Sequence, residues 1–312
     1  MAEVICLGEL LVDFCATATD VGVAEAPGFT KAPGGAPANV AVALQRLGVR
    51  AGFVGAVGCD PFGRFLAEVL VREGVETTGL VQLEEVKTPL AFVAVHSDGS
   101  GDFFFYHDAG LAPLREEHID ADYIAAAAAL HFGAISRIHP QARDATDKAR
   151  RIARDHGLLV GYDPNYRPRL WADPDEARQR IREGFLGTTV AKVSAEEWAF
   201  ILGTDEFDRG AAELLEMGVE LVVRSEGPGG ASFVRAVEFT GAGDAFMGAI
   251  LAETVKLSTA GLSPGELSEA DLRRIVRRAN AAGALATTRP GAIPALPSRE
   301  ELDAFLANRG RP

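Results

Sequence analysis

A chain of 312 residues, 47% hydrophobic and 24% charged, has the make-up of a water-soluble globular protein and is long enough for one large α/β core. Lys and Arg number 31 against 44 Asp and Glu, and the formal net charge of −13 excludes the broad basic face that nucleic acid or an anionic membrane demands, while leaving room for a local nucleotide pocket. Cys6, Cys15 and Cys59 form no CxxC pair, so neither a disulfide framework nor a zinc site is implied; no apolar run reaches membrane-span length and no signal peptide is evident, which makes the cytoplasm the expected location.

Glu3 to Leu7 reads as a buried first strand ending at Gly8. Leu11 to Thr19 and Thr30 to Ala32 read as extended segments. Ala36 to Leu47 has helical spacing and stops at Gly48. Ala51 to Val57 is strand-like, and Asp60-Pro61 opens a helix with Phe62, Phe65, Leu66, Val69 and Leu70 on one face. Leu90 to His96 and Gly101 to His107 form a hairpin around Ser97-Asp98-Gly99-Ser100. Strands at Ala129–Phe132, Leu158–Tyr162, Val190–Val193 and Leu221–Arg224 then alternate with helices at Pro140–His156 and Pro174–Phe185. This pattern predicts a mainly parallel sheet covered on both faces. Leu11–Ala32 and the hairpin would form a small separate sheet. Phe103 to Tyr106 puts aromatics on both of its faces: one, with Phe105, can cover a ligand pocket, and the other can meet a second subunit.

Thr240-Gly241-Ala242-Gly243-Asp244 runs from a glycine-rich turn into the apolar stretch Ala245 to Leu251. The first turn of a helix has unpaired N–H groups and the positive dipole end, and small residues let a phosphate come close. A carboxylate there repels phosphate but suits a general base for an attacking hydroxyl, which suggests phosphoryl transfer to an alcohol. Lys31 to Asn39 holds a second glycine-rich helix start at Gly34-Gly35, and Asn39 with Asp13 offers donors and acceptors suited to hydroxyl groups. In an open parallel sheet, turns of this kind line up along the carboxyl rim. The P-loop pattern is absent, as is a Gly-x-Gly-x-x-Gly after the first strand, which argues against a P-loop ATPase and a nicotinamide-dependent oxidoreductase.

From Gly8-Glu9-Leu10-Leu11-Val12-Asp13 to Gly291-Ala292-Ile293-Pro294-Ala295-Leu296-Pro297 the chain resembles the ribokinase/PfkB carbohydrate kinases, and within them the fructokinases, through Ala26–Ala41 and Tyr162–Trp171. The resemblance implies a single ribokinase-like α/β/α domain over residues 1–312, with lid strands inserted at about 11–32 and 88–108. It implies transfer of the γ-phosphoryl of Mg-ATP to a sugar hydroxyl, with Asp244 as base and the amides of Gly241, Ala242 and Gly243 as the anion hole. Asp13, Gly34, Gly35 and Asn39 match sugar-binding positions; Asn165 and Arg167 match the sugar and phosphate end. Ser194 and Glu197 match an Asn-x-x-Glu motif whose acid orders the magnesium water shell. Ser225, Gly227 and Gly230 match a nucleotide-side loop, and Asn280 an adenine-lining position.

Two departures stand out. Glu238-Phe239-Thr240 replaces the family's Asp-Thr-Thr, giving a longer acid and one hydroxyl fewer at a K+ site that would include Glu238. The stretch from Gly230 to Val237 is shorter than in most relatives, which trims the nucleotide side. His107 stands where many kinases of 2-keto-3-deoxygluconate have Arg, and its weaker charge favours a neutral ketohexose such as fructose; Arg137, Arg167 and Arg169 keep the acid sugar as the alternative. A non-catalytic sugar or nucleotide sensor is a further alternative, opposed by Asp244. A homodimer through the lid is expected.

Overall fold

The computed structural model describes residues 1–97, 101–106, 114–227, 242–286 and 291–308. Among the described residues, seven parallel strands form a central sheet: β1 (Val4–Leu7), β4 (Ala51–Gly58), β5 (Glu76–Leu83), β8 (Ala129–Gly133), β9 (Leu159–Asp163), β10 (Val190–Ser194) and β11 (Leu221–Ser225), in the order β11-β10-β9-β8-β1-β4-β5. Strand β1 shows why two helical layers are needed. All four of its side chains are buried, Val4 and Cys6 in one core and Ile5 and Leu7 in the other. Both faces of such a strand must be covered, each large aliphatic contributing about 1.5–3 kcal/mol on burial.

Helices α1 (Ala36–Arg46), α2 (Pro61–Arg72), α8 (Ala242–Thr259), α9 (Glu269–Ala286) and α10 (Arg299–Asn308) pack into the first core. Helices α3 (Ala121–Ala125), α4 (Pro140–Asp155), α5 (Pro174–Phe185), α6 (Ala195–Leu202) and α7 (Phe207–Glu216) pack into the second. The caps follow the sequence signals. Asp60 accepts the amides of Phe62 and Gly63 at the start of α2, and Gly48 takes φ +81° after α1. Strand β5 carries no such signal. It lies at the sheet edge with mixed exposure, so its polar Glu-Thr-Thr-Gly start has no buried pattern to show.

Strands β2 (Leu11–Ala16), β3 (Phe29–Gly34), β6 (Leu90–Val95) and β7 (Gly101–Tyr106) form a separate mixed sheet in the order β3-β2-β6-β7. Its register places Asp13, Ala32, Ala91 and Phe105 in one row, and Phe14, Lys31, Phe92 and Phe104 in the neighbouring row on the opposite face. The turn 98–100 between β6 and β7 lies outside the described residues.

Helices α1 and α8 approach closely. A Cβ on Gly248 would stand 2.9 Å from the Ala43 Cβ, so the two backbones meet where each has its smallest side chain. One turn toward the start of each helix lie Asn39 and Asp244. The helix contact thus aims these two side chains at each other.

Candidate active site

The turn into α1 is shaped by two glycines. Gly35, the N-cap, has φ +108°, and a Cβ there would stand 2.4 Å from the Glu9 carbonyl oxygen. A Cβ on Gly34 would stand 2.0 Å from Asp13 Oδ2, so the Asp13 carboxyl lies directly over this glycine. Gly35 offers no side chain to cap α1; Glu9 does so instead, Oε1 accepting the Ala36 amide at 2.8 Å. Asn39, buried on the first turn, donates from Nδ2 to Asp244 Oδ2 at 3.1 Å. Its Oδ1 is buried with no hydrogen-bond partner among the described residues.

Three carboxyl groups gather here. Protein packed around Asp244 raises its pKa to about 6, with the Asn39 hydrogen bond, Lys192 and Arg167 pulling the other way, although the side chain keeps an opening to solvent. Burial likewise raises Asp13 and Glu9, each to about 7; Arg167 opposes both shifts and Asp244 reinforces both. One guanidinium therefore faces three acids.

The strand ends β9 and β10 supply the other wall. Asp163 Oδ2 lies 3.0 Å from Lys192 Nζ, both side chains being buried. Lys192 in turn lies under the start of α8, its Nζ 3.2 Å from where a Cβ of Gly243 would be. A glycine at 243 leaves room for this ammonium, which adds positive charge to a helix N-terminus already suited to an anion. Burial lowers the Lys192 pKa, but Asp163, Glu197 and Asp244 outweigh it and hold the amine above its usual range. Lys192 carries no mark in the sequence: a lysine inside an apolar strand shows its partner only once β9 and β10 are paired.

Asn165 occupies the left-handed region with φ +47°, and its amide donates to Asp163 Oδ1 at 3.3 Å. Arg167 lies with its guanidinium 5.7 Å over the Phe103 ring of the lid, and Arg169 donates to the Phe103 carbonyl at 2.7 Å and pairs with Asp102 at 2.9 Å. The segment after β9 thus grips the outer lid strand. Phe105 is half-buried, in the same cross-strand row as Asp13.

Ser194 and Glu197 form a reciprocal capping box: Ser194 Oγ accepts the Glu197 amide at 3.3 Å and Glu197 Oε2 accepts the Ser194 amide at 3.1 Å. Glu197 Oε1 also accepts the Tyr166 amide, so a buried acid ties the β9 segment to α6. Ser225 ends β11 directly opposite Ser194, and Gly227 follows with φ +54° and, among the described residues, nothing within 4 Å of where a Cβ would stand. Asn280 is half-buried on α9, which packs along α8. The structure therefore gathers Asp13, Gly34, Gly35, Asn39, Arg167, Gly243 and Asp244 around one rim, with Ser194, Glu197, Ser225 and Gly227 at the strand ends beyond. His107, Gly230, Glu238 and Gly241 lie outside the described residues, as does the side chain of Ala242.

The comparisons agree with one another. The model of the pfkB family carbohydrate kinases matches residues 1–299. A probable fructokinase-4 of Arabidopsis thaliana is 41% identical, over 97% of this chain and 96% of its own. The fructokinase of Xylella fastidiosa with bound ATP superposes with a TM-score of 0.89 at 30% identity, covering 100% of both chains. The fructokinase of Vibrio cholerae O395 in a form with fructose, ADP and calcium superposes with a TM-score of 0.85 at 32% identity, over 98% of this chain and 99% of that one.

Proposed function

The chain belongs to the pfkB family of carbohydrate kinases, and on that footing we propose that it is a fructokinase, moving the γ-phosphoryl of ATP to a hydroxyl of fructose. The choice of a neutral sugar rests on one observation, the surplus of acids at the rim. Glu9, Asp13 and Asp244 are offset there by Arg167, while the ammonium of Lys192 is already paired with Asp163. Of the other arginines that could have held an acid sugar, Arg137 is buried against Asp147 and the Arg180 carbonyl, and Arg169 is committed to the lid. A sugar carboxylate brought to this rim would meet net repulsion.

Asp244 takes the proton of the attacking hydroxyl, its carboxylate oriented by Asn39. Asp13, over Gly34, accepts hydrogen bonds from other sugar hydroxyls, and Phe105 covers the ring from the lid. The amides of Gly241, Ala242 and Gly243 stabilise negative charge on the phosphoryl in flight, helped by Lys192 beside Gly243, and Asn165 and Arg167 hold its oxygens. Glu197, with Ser194, is the residue that would order the waters of a bound magnesium ion, each of its oxygens keeping a lone pair beyond the amide bond it accepts, and such an ion would supply positive charge to the ATP phosphates. Ser225, Gly227, Gly230 and Asn280 form the nucleotide side. A monovalent cation such as K+ would sit near Glu238.

A coupled ADP-release assay over fructose, 2-keto-3-deoxygluconate, ribose, glucose, tagatose and adenosine, with and without K+, tests the proposal. Fructose is expected to give the highest kcat/KM, and turnover restricted to the acid sugar overturns the charge argument.

We also propose that the far face of the lid joins two copies of the chain. Phe104 and Tyr106 are 53% and 52% exposed there, and Phe92 links Tyr106 to Phe14 and Phe29 through ring contacts of 5.1–6.3 Å. Sedimentation is expected to show a dimer that Phe104→Glu dissociates.

A further inference from the structure

We propose that Glu9 is a positioning residue for phosphoryl transfer: its carboxylate ties the Ala36 amide at the first turn of α1 and thereby holds Asn39 against Asp244. The proposal rests on the sugar-kinase reading of the site. The chain of contacts is short. Glu9 Oε1 accepts the Ala36 amide at 2.8 Å, the Asn39 amide closes the first helical turn onto the Gly35 carbonyl at 2.9 Å, and Asn39 Nδ2 reaches Asp244 at 3.1 Å. The N-cap itself, Gly35, has no side chain for the purpose, so Glu9, 27 positions upstream of Ala36, serves instead. Glu9 is 7% exposed, and its Oε2 is buried without a hydrogen-bond partner among the described residues. A buried carboxyl that is half used is costly to keep unless its placement serves the site.

The charged and titratable groups around Glu9 come from every side. Asp244, at the start of α8, and Arg167, after β9, act on Glu9; Asp13 on β2 shares these two neighbours, and Lys192 on β10 acts on Asp244. His139, at the start of α4, lines the same small cavity as Glu9, beside Leu10, Pro89 and Leu114, through which the chain passes to and from the lid. Asp244 and Glu9 are like charges, and Asp244 helps to raise the Glu9 carboxyl. With Glu9 at about 7 and Asp244 at about 6, Glu9 is mostly protonated where Asp244 titrates, so loss of its charge leaves that midpoint in place, while loss of the capping oxygen frees Asn39, whose hydrogen bond lowers the Asp244 pKa.

Two variants separate these effects. Glu9→Ala is expected to lower kcat on the order of tenfold or more with the KM for ATP within about threefold, because the defect lies in alignment of the base. Glu9→Gln keeps an oxygen for the Ala36 amide and is expected to recover most of kcat with the acid limb of the kcat/KM profile in place, whereas Glu9→Ala, which frees Asn39, is expected to move that limb to higher pH. Equal loss in both variants, wild-type kcat in Glu9→Ala, or an acid limb unmoved in Glu9→Ala overturns the proposal. Titration of the Asp244 carboxyl carbon by ¹³C NMR in the sugar-free protein, assigned with Asp244→Asn, gives a readout without turnover. A midpoint that rises in Glu9→Ala and stays in place in Glu9→Gln supports the proposal even where fructose proves to be the wrong sugar, and an unchanged midpoint in Glu9→Ala sinks it whichever sugar is used. Glu9→Met, close in length but without the capping oxygen, takes the place of Glu9→Ala should that variant not fold.

Discussion

Asn39 and Asp244, 205 residues apart in the chain, share a 3.1 Å hydrogen bond because Ala43 and Gly248, four residues further along each helix, let α1 and α8 touch. The candidate base is thus oriented by helix packing rather than by a loop. Gly248→Ala would push its new methyl to 2.9 Å from the Ala43 Cβ, inside normal contact. Parting the helices by a fraction of an ångström is expected to lower kcat by about tenfold, since a 1 Å misplacement can cost about 10²-fold. The overpacking itself costs about 1–3 kcal/mol. The reciprocal double variant, Ala43→Gly with Gly248→Ala, returns the methyl count to its original value and should recover both. A double-mutant cycle in kcat and in thermal midpoint checks this, and additive losses would refute the coupling.

The raised carboxyl of Asp244 gives a pH signature. As a base it must be ionised, so kcat/KM is expected to fall as pH drops through about 6. Stability runs the opposite way. A carboxyl with a folded-state pKa near 6, against an ordinary 3.8, contributes stability that is complete below about pH 3.8 and lost as pH rises through 6. Asp244→Asn should therefore lose about 10²–10⁴-fold in kcat yet melt a few degrees higher than the parent at pH 7.5, with the advantage gone near pH 4. A variant that melts lower at pH 7.5 would show that the carboxylate is stabilised by its surroundings, contrary to the burial argument.

Much of this site is legible in the amino-acid sequence. Asp244 and Gly243 announce themselves because a phosphate cradle needs small residues and a helix start in succession; Gly34, Gly35 and Asn39 show as a second glycine-rich helix start, where Asn39 with Asp13 suits hydroxyl groups. The parallel sheet follows from short apolar strands such as Val4–Leu7, buried on both faces. Glu9 and Lys192 could not be found in this way. Each acts through a partner distant in sequence, Ala36 and Asp163, and neither has a local pattern that marks a buried charge as paired. Glu197 looks from the sequence like a solvated acid in a first turn, yet is 8% exposed, because the Tyr166 amide is brought over it by the β9 segment.

The grip of Arg169 on the lid predicts a binding phenotype. Its pair with Asp102 is largely exposed and is worth about 0–1 kcal/mol, so Arg169→Ala should leave the thermal midpoint almost unchanged. It does release the Phe103 carbonyl and the edge of β7, which carries Phe105. The KM for the sugar is expected to rise by about threefold to tenfold, with a smaller change in kcat and little in the KM for ATP. A sugar KM equal to that of the parent would show that the lid is held by its other strands.

Lys192 and Asp163 separate structure from catalysis most sharply. Lys192→Met removes one member of a buried pair 3.0 Å apart and leaves Asp163 with an uncompensated charge, which costs about 3–5 kcal/mol. Adding Asp163→Asn removes that charge, and the double variant should regain most of the stability. Activity should not follow. With the ammonium gone from beneath Gly243, the start of α8 has only its amides and dipole to hold the phosphoryl oxygens, and kcat is expected to stay down by about 10²–10³-fold in both variants. Chemical denaturation alongside steady-state kinetics on the single and double variants tests this directly. Should kcat return with stability, Lys192 would be a structural counter-ion to Asp163, and the anion hole would work through backbone amides alone.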